Sequence, residues 1–200
     1  MKAAPEGAEE FTKGVAAFNA GNNAAAAAAF EESVKRAPDL PEIRVNLALA
    51  YLRLSRAQDA VMQLEKAREL APDKPSVLFQ LGGAYVEMKE YDKALATIEQ
   101  GIAKAPNATD PVALEGTVTL GALYFAKGDG DKAIAAFEKV LVAKPDAAAA
   151  RLGVAKAYFS KGDVSKALQN VRQVLADSGG TPEAKEAAAF ITELEKTLKP

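Results

Sequence analysis

The side chains that most often carry out chemistry are missing from this chain. Its 200 residues contain no histidine and no cysteine, which removes the usual general base, proton shuttle, thiol nucleophile and zinc ligands. Catalysis would have to rely on carboxylates, lysines or tyrosines alone. Three short strings imitate functional motifs, and each lacks what its chemistry needs. Gly116 to Gly121 opens like a phosphate-binding loop, but Ala122 stands where the lysine that reaches the phosphates is required, and the segment reads as helix. Asp129-Gly130-Asp131 opens like a calcium loop, but Ile134 replaces the turn glycine and Val140 the closing carboxylate, so it reads as a capped turn between helices. Asn107-Ala108-Thr109 is a formal glycosylation sequon in a loop, meaningful only in a secretory pathway. The formal charge is −2 with acids and bases interspersed, unlike the basic stripe that nucleic-acid binding requires. These observations predict no enzyme, no cofactor, no metal and no nucleic-acid partner. With no apolar run long enough for a bilayer, no direct membrane insertion is expected.

What remains is recognition by a surface, and the prolines indicate how that surface is built. Pro38, Pro72 and Pro106 are spaced by 34 residues, and Pro145 follows after 34 plus an insertion of five. Counting 34 places per unit with this proline at place 32, the units begin at Gly7, Pro41, Pro75, Leu114 and Ala148. Place 8 is then always small (Gly14, Ala48, Gly82, Gly121, Ala155) and place 20 always alanine (Ala26, Ala60, Ala94, Ala133, Ala167). Place 24 is always large and apolar: Phe30, Leu64, Ile98, Phe137, Val171. Place 11 is tyrosine in all but the first unit, at Tyr51, Tyr85, Tyr124 and Tyr158. A fixed period of this length means stacked supersecondary units with an extended surface rather than one core around one pocket.

Each unit reads as two antiparallel helices. In the second, Leu47, Ala50, Tyr51 and Leu54 recur at helical spacing, as do Ala60, Val61, Leu64, Ala67 and Leu70. Ser55-Arg56-Ala57-Gln58 is the turn between them, while other units use Ala20-Gly21-Asn22-Asn23, Lys127-Gly128-Asp129-Gly130 and Lys161-Gly162-Asp163. There glycine takes the left-handed backbone that ends one helix, and Asn or Asp caps the next. Small residues at places 8 and 20 belong where the paired helices cross. Paired prolines such as Pro38 with Pro41 and Pro72 with Pro75 stop one unit and open the next. Asp110-Pro111 reads as a cap and first-turn proline that lengthens the front of the fourth unit. Thr181-Pro182-Glu183 starts an eleventh, unpaired helix with Ala187, Ala188, Ile191, Leu194 and Leu198 on one face and Glu183, Lys185, Glu186, Glu193, Glu195 and Lys196 elsewhere.

This pattern resembles the tetratricopeptide repeat: a large residue at place 4, Leu-Gly at 7 and 8, Tyr at 11, Ala at 20, Phe at 24, Ala at 27 and Pro at 32. The third unit carries it as Leu78, Leu81-Gly82, Tyr85, Ala94, Ile98 and Pro106, departing at Gly101. The resemblance implies an all-α fold, a right-handed α-α superhelix of about eleven antiparallel-packed helices. It divides the chain into an extension at 1–6, five repeats at 7–40, 41–74, 75–108, 114–147 and 148–181, and a capping helix at 182–200. The family lines its concave wall with places 2, 5, 6, 9, 12 and 13 of each first helix. Carried over, these positions give Phe11, Val15 and Phe18, then Val45, Asn46, Leu49 and Arg53, then Phe79, Gln80, Val86 and Glu87. The later units add Val118 and Phe125, then Leu152, Lys156 and Phe159. The family clamp for a C-terminal carboxylate is absent, because Phe11 and Val15 replace its first pair and Ser76 and Gln80 its last, with only Asn46 matching.

The implied function is a non-catalytic interaction module or scaffold that holds a protein or peptide ligand, such as an amphipathic helix, in an apolar groove. The alternative is a self-associating block, a homo-oligomer built on the same surfaces. Met1 to Gly7 has no apolar leader stretch, so the chain is read as soluble, cytoplasmic as given or extracytoplasmic if a leader was removed.

Overall fold

The structure, a computed structural model, describes residues 6–177 and 179–197. Residues 1–5 of the expected extension, Ser178, residues 198–200 of the expected capping helix and the side chain of Lys196 lie outside what is described. The proline, glycine and cap punctuation sets the boundaries of eleven helices, and no strand occurs among the described residues. They are α1 (Ala8–Asn19), α2 (Asn23–Arg36), α3 (Pro41–Arg53), α4 (Ala57–Leu70), α5 (Pro75–Glu87) and α6 (Tyr91–Lys104), followed by α7 (Pro111–Ala126), α8 (Gly130–Ala143), α9 (Ala148–Ser160), α10 (Val164–Asp177) and α11 (Pro182–Thr197).

The chain divides after Ala105, just before Pro106 near the end of the third repeat, into a unit of α1 to α6 and a unit of α7 to α11. In the first unit α1/α2, α3/α4 and α5/α6 form hairpins, stacked through α2 on α3 and α4 on α5. In the second, α7/α8 and α9/α10 form hairpins joined by α8 on α9, and α11 packs on α10 with a smaller contact to α9. That is the seat a first helix of another hairpin would take.

Local chemistry explains the boundaries. Asn22 accepts from the Ala25 amide at 3.1 Å, Asp129 from Lys132 at 3.2 Å and Asp163 from Lys166 at 3.0 Å, capping α2, α8 and α10. Asp110 accepts from Val112 at 2.9 Å, and α7 is accordingly 16 residues long against 13 for α3, α5 and α9. Thr181 Oγ1 accepts from the Ala184 amide at 3.1 Å and starts α11. The turn between α3 and α4 is shorter than its sequence suggested, because Ala57 and Gln58 already belong to α4. Ser55 there takes φ 59° and Lys89 in the next hairpin φ 60°, the left-handed conformation that Gly21, Gly128 and Gly162 supply elsewhere.

The small and large places interlock. The alanines at place 20 are fully buried, and Phe30, Leu64, Ile98, Phe137 and Val171 are at most 3% exposed. A methyl group added to Gly14 would stand 2.5 Å from the Phe30 ring, to Gly82 2.4 Å from Ile98, and to Gly121 2.7 Å from Phe137. In the two repeats with alanine at this place, Ala48 and Ala155, the large position carries Leu64 and Val171, neither of them aromatic. Each such buried side chain stabilises its hairpin by about 1.5–3 kcal/mol, and the missing methyl is what lets the helices close on it.

Candidate functional site

In the first unit, α1, α3 and α5 carry the positions expected to face a ligand. Phe11, Val15 and Phe18 on α1 are half-buried, as are Val45, Asn46 and Leu49 on α3 and Phe79, Gln80 and Val86 on α5. Arg53 and Glu87, at the C-terminal ends of α3 and α5, are exposed. Some of these side chains are partly used inside the unit. The Phe11 ring lies 5.7 Å from Phe30, and Phe79 lies over Gly101, where an added methyl would come within 2.7 Å of the ring. The departure at Gly101 from the repeat pattern is thus the space that Phe79 needs. Asn46 Nδ2 donates to the Glu42 carbonyl at 2.8 Å, one turn back on the same helix, and Lys74 pairs with the Glu42 carboxylate at 2.5 Å. That ammonium holds the Glu42 carboxyl below the usual carboxylate range.

In the second unit Val118 and Phe125 on α7 and Lys156 and Phe159 on α9 are half-buried. Leu152 differs from them, although it also edges the hollow between α7, α9 and α11. It is 3% exposed and packs in the cluster that holds Val171, Val174, Ala187 and Leu194, because α11 covers it. Phe159 is likewise engaged, edge-on to Phe190 of α11 at 5.4 Å between centroids, and Lys156 forms an ion pair with Glu186 of α11.

Between α7, α9 and α11 a hollow of about 280 Å³ stays open, lined by Val118, Ala122, Phe125, Gly153, Lys156 and Glu186 among others. Ala122 gives its wall only a methyl, and Gly153 gives no side chain. A methyl at Gly153 would meet the Phe137 ring at 2.4 Å, so that ring forms part of the floor. A second cleft of about 510 Å³ shares Val118, Ala149 and Glu183 with the first and extends to Leu114, Glu115, Lys144 and Asp146.

One set of contacts went unread in the sequence. Tyr51 Oη donates to Glu31 Oε1 at 2.7 Å, and Tyr85 Oη donates to Glu65, each linking one hairpin to the preceding one. Arg56 lies 4.2 Å from the Tyr51 ring centroid, Lys93 5.4 Å from Tyr85, Lys132 5.4 Å from Tyr124 and Lys166 4.8 Å from Tyr158. Burial first, then the hydrogen bond to a carboxylate, pushes the Tyr51 and Tyr85 phenols up to about 12. The signal was available: Glu31, Glu65, Glu99 and Glu138 share place 25, and Lys93, Lys132 and Lys166 share place 19. The Tyr51–Glu31 and Tyr85–Glu65 bonds tie hairpins together, while Glu138, Tyr158 and Lys166 line a cleft of about 340 Å³ with Arg151. Among the described residues no cluster of acidic, histidine or cysteine side chains could hold a metal ion, and no helix is long and apolar enough to cross a membrane.

Comparison with known proteins agrees with the repeat frame. One tetratricopeptide-repeat profile matches residues 53–115 and 124–190, and a second matches residues 11–75. The chain is a tetratricopeptide-repeat protein. No curated protein matches it significantly in sequence. Among solved structures, MamA is 26% identical over 88% of this chain and 96% of its own, with a TM-score of 0.73. TTC0263, a thermophilic TPR protein in Thermus thermophilus, is 21% identical over 93% and 99%, with a TM-score of 0.73. YrrB, a TPR protein with an unusual peptide-binding site, is 17% identical over 92% of each chain, with a TM-score of 0.70. The all-α helical-repeat class expected from the residues is therefore the fold of this tetratricopeptide-repeat chain.

Proposed function

We propose that this chain is a non-catalytic interaction module whose first helices receive a peptide segment or amphipathic helix of another protein. The repeat frame from Gly7 to Thr181, closed by the helix from Pro182, is the scaffold of that reading. The observation that carries it is the hollow between α7, α9 and α11, where the small side chain of Ala122 leaves Val118 and Phe125 half-exposed. A half-buried apolar recess flanked by a few charged groups suits one large anchor side chain, with polar contacts to fix register. YrrB lends support, since a protein of the same fold carries a peptide-binding site. On the first unit, Phe18, Leu49 and Val86 offer a further apolar wall, with Arg53 and Glu87 at its edge.

The test is selection of a random peptide library on the full chain, followed by counter-selection on Val118→Glu and Phe125→Glu variants whose circular dichroism matches the parent. Peptides enriched by the parent and lost from both variants are the expected result. Binders that both variants retain with unchanged affinity would place the binding surface elsewhere.

A further inference from the structure

The recess in the second unit also has a charge sign. Its wider cleft, at the start of α7 and α9, is edged by Glu115, Asp146 and Glu183, with Lys144 the only cation among its lining residues. Glu186 and Lys156 at the adjoining hollow compensate one another as an ion pair. Among the described residues Glu115, Asp146 and Glu183 form no ion pair. Glu183 stands in the first turn of α11, where the helix dipole favours a carboxylate. Asp146 directly precedes the N-cap Ala147 of α9 and feels the same field, whereas Glu115, in the second turn of α7, has no such compensation. Carboxylates around a low-dielectric apolar floor focus a negative potential into the cleft. An acidic segment entering it would meet like charges, whereas a basic one would find the partners that these carboxylates lack.

We infer that the occupant of this cleft is a cationic amphipathic segment, one that seats a large apolar side chain over Leu114 and Val118 and places lysine or arginine beside Glu115, Asp146 and Glu183. The inference rests on the interaction reading above and adds the chemistry of the partner. Rim charges of this kind act mainly on association rate and salt dependence, while the apolar anchor sets the residence time.

The experiment uses the full chain and two labelled synthetic amphipathic peptides with identical leucine positions, one with lysine and the other with glutamate on its polar face, followed by fluorescence anisotropy. The lysine peptide should bind about tenfold or more tightly at low ionic strength, and its advantage should shrink as salt shortens the Debye length from about 10 Å at 0.1 M to about 3 Å at 1 M. The triple variant Glu115→Gln/Asp146→Asn/Glu183→Gln should abolish the preference while leaving the leucine-dependent part intact. Equal binding of both peptides to the parent overturns the cationic assignment and leaves the interaction reading standing. A lysine preference that survives the triple variant also overturns it, because the attraction then comes from the acidic chain at large. Binding of neither peptide, with Val118→Glu indistinguishable from the parent, sinks both readings. A doubled mass in light scattering that the lysine peptide does not displace assigns the cleft to a second copy of the chain and refutes the proposal.

Discussion

Gly82 and Gly83 are neighbours on α5, yet alanine should have opposite effects at the two positions. A methyl group at Gly83 meets nothing within 4 Å. Only the backbone contribution then applies, and Gly83→Ala should stabilise the fold by about 0.8–1.0 kcal/mol, the difference in helix propensity. For a chain of this size that is a rise of roughly 2–4 °C in Tm. At Gly82 the same methyl would stand 2.4 Å from Ile98 Cγ1 and 2.9 Å from Cδ1, and Ile98 is 1% exposed with nowhere to retreat. Overpacking of this kind costs about 1–3 kcal/mol, which cancels or exceeds the propensity gain and leaves a net loss of up to about 2 kcal/mol. Urea unfolding followed by far-ultraviolet circular dichroism measures both variants, provided the slope m is unchanged. Adding Ile98→Ala should make the cost of Gly82→Ala vanish, although the double variant stays less stable than the parent. If Gly82→Ala stabilised as much as Gly83→Ala, the interlock of glycine and large side chain would be refuted as the reason these helices approach so closely.

Other measurements probe different parts of the fold. Tyr51 and Tyr85 are raised to about 12, against about 10 for an unfolded tyrosine. Their contribution is therefore complete below about pH 10 and is lost as pH rises from there towards 12. Near-ultraviolet absorbance should show these phenols ionising together with unfolding, and full ionisation near pH 10 with the helical signal intact would contradict their burial. Lys89→Gly should stabilise by a few tenths to about 1 kcal/mol, because glycine accepts the left-handed backbone that lysine is forced into there; a loss in thermal unfolding would count against it. Leu152→Ala should cost about 2–5 kcal/mol as a core truncation, whereas Val118→Ala on the open wall should cost much less; equal losses would mean the wall is closed. Phe159→Ala should release α11 first, seen as earlier proteolytic cleavage after Lys185 with the hairpins still folded. Cleavage unchanged from the parent would mean that the Phe159–Phe190 contact does not hold the helix.

Most of the hairpin structure was legible because its determinants are local and repeat. Asn22, Asp110, Asp129, Asp163 and Thr181 each cap a helix through an amide a few residues away, so a short window contains both partners. The interlock was legible because Gly14, Gly82 and Gly121 keep a constant distance along the chain from Phe30, Ile98 and Phe137. Reading the wall was harder, since a place number says which side of a helix a residue is on but not what arrives later to cover it. Leu152 occupies the same place as Phe11 and Val118, and only the packing of α11 makes it core. The recess beside Ala122 was hidden for a related reason: it depends on how α7, α9 and α11 pack around a small side chain. Ser55 and Lys89 carry no signature of their left-handed backbone, which goes with the turn closed by the Arg56 and Glu90 amides on the Tyr51 and Tyr85 carbonyls.

The matched sizes at places 8 and 24 constrain how such a chain can be rebuilt by recombination. A crossover inside a hairpin that joined the first helix of the second repeat to the second helix of the fourth would set Ala48 against Phe137, a methyl where the ring needs a hole. Joining the first helix of the fourth repeat to the second helix of the fifth would set Gly121 against Val171, and a void would follow. Exchanges cut at the proline boundaries keep the pairs at places 8 and 24 together, so whole hairpins move more readily than half-hairpins, except that the fourth and fifth must travel together because Phe137 also needs Gly153. The heritable module of this protein is therefore the matched pair of helices, larger than the single helix that its secondary structure suggests.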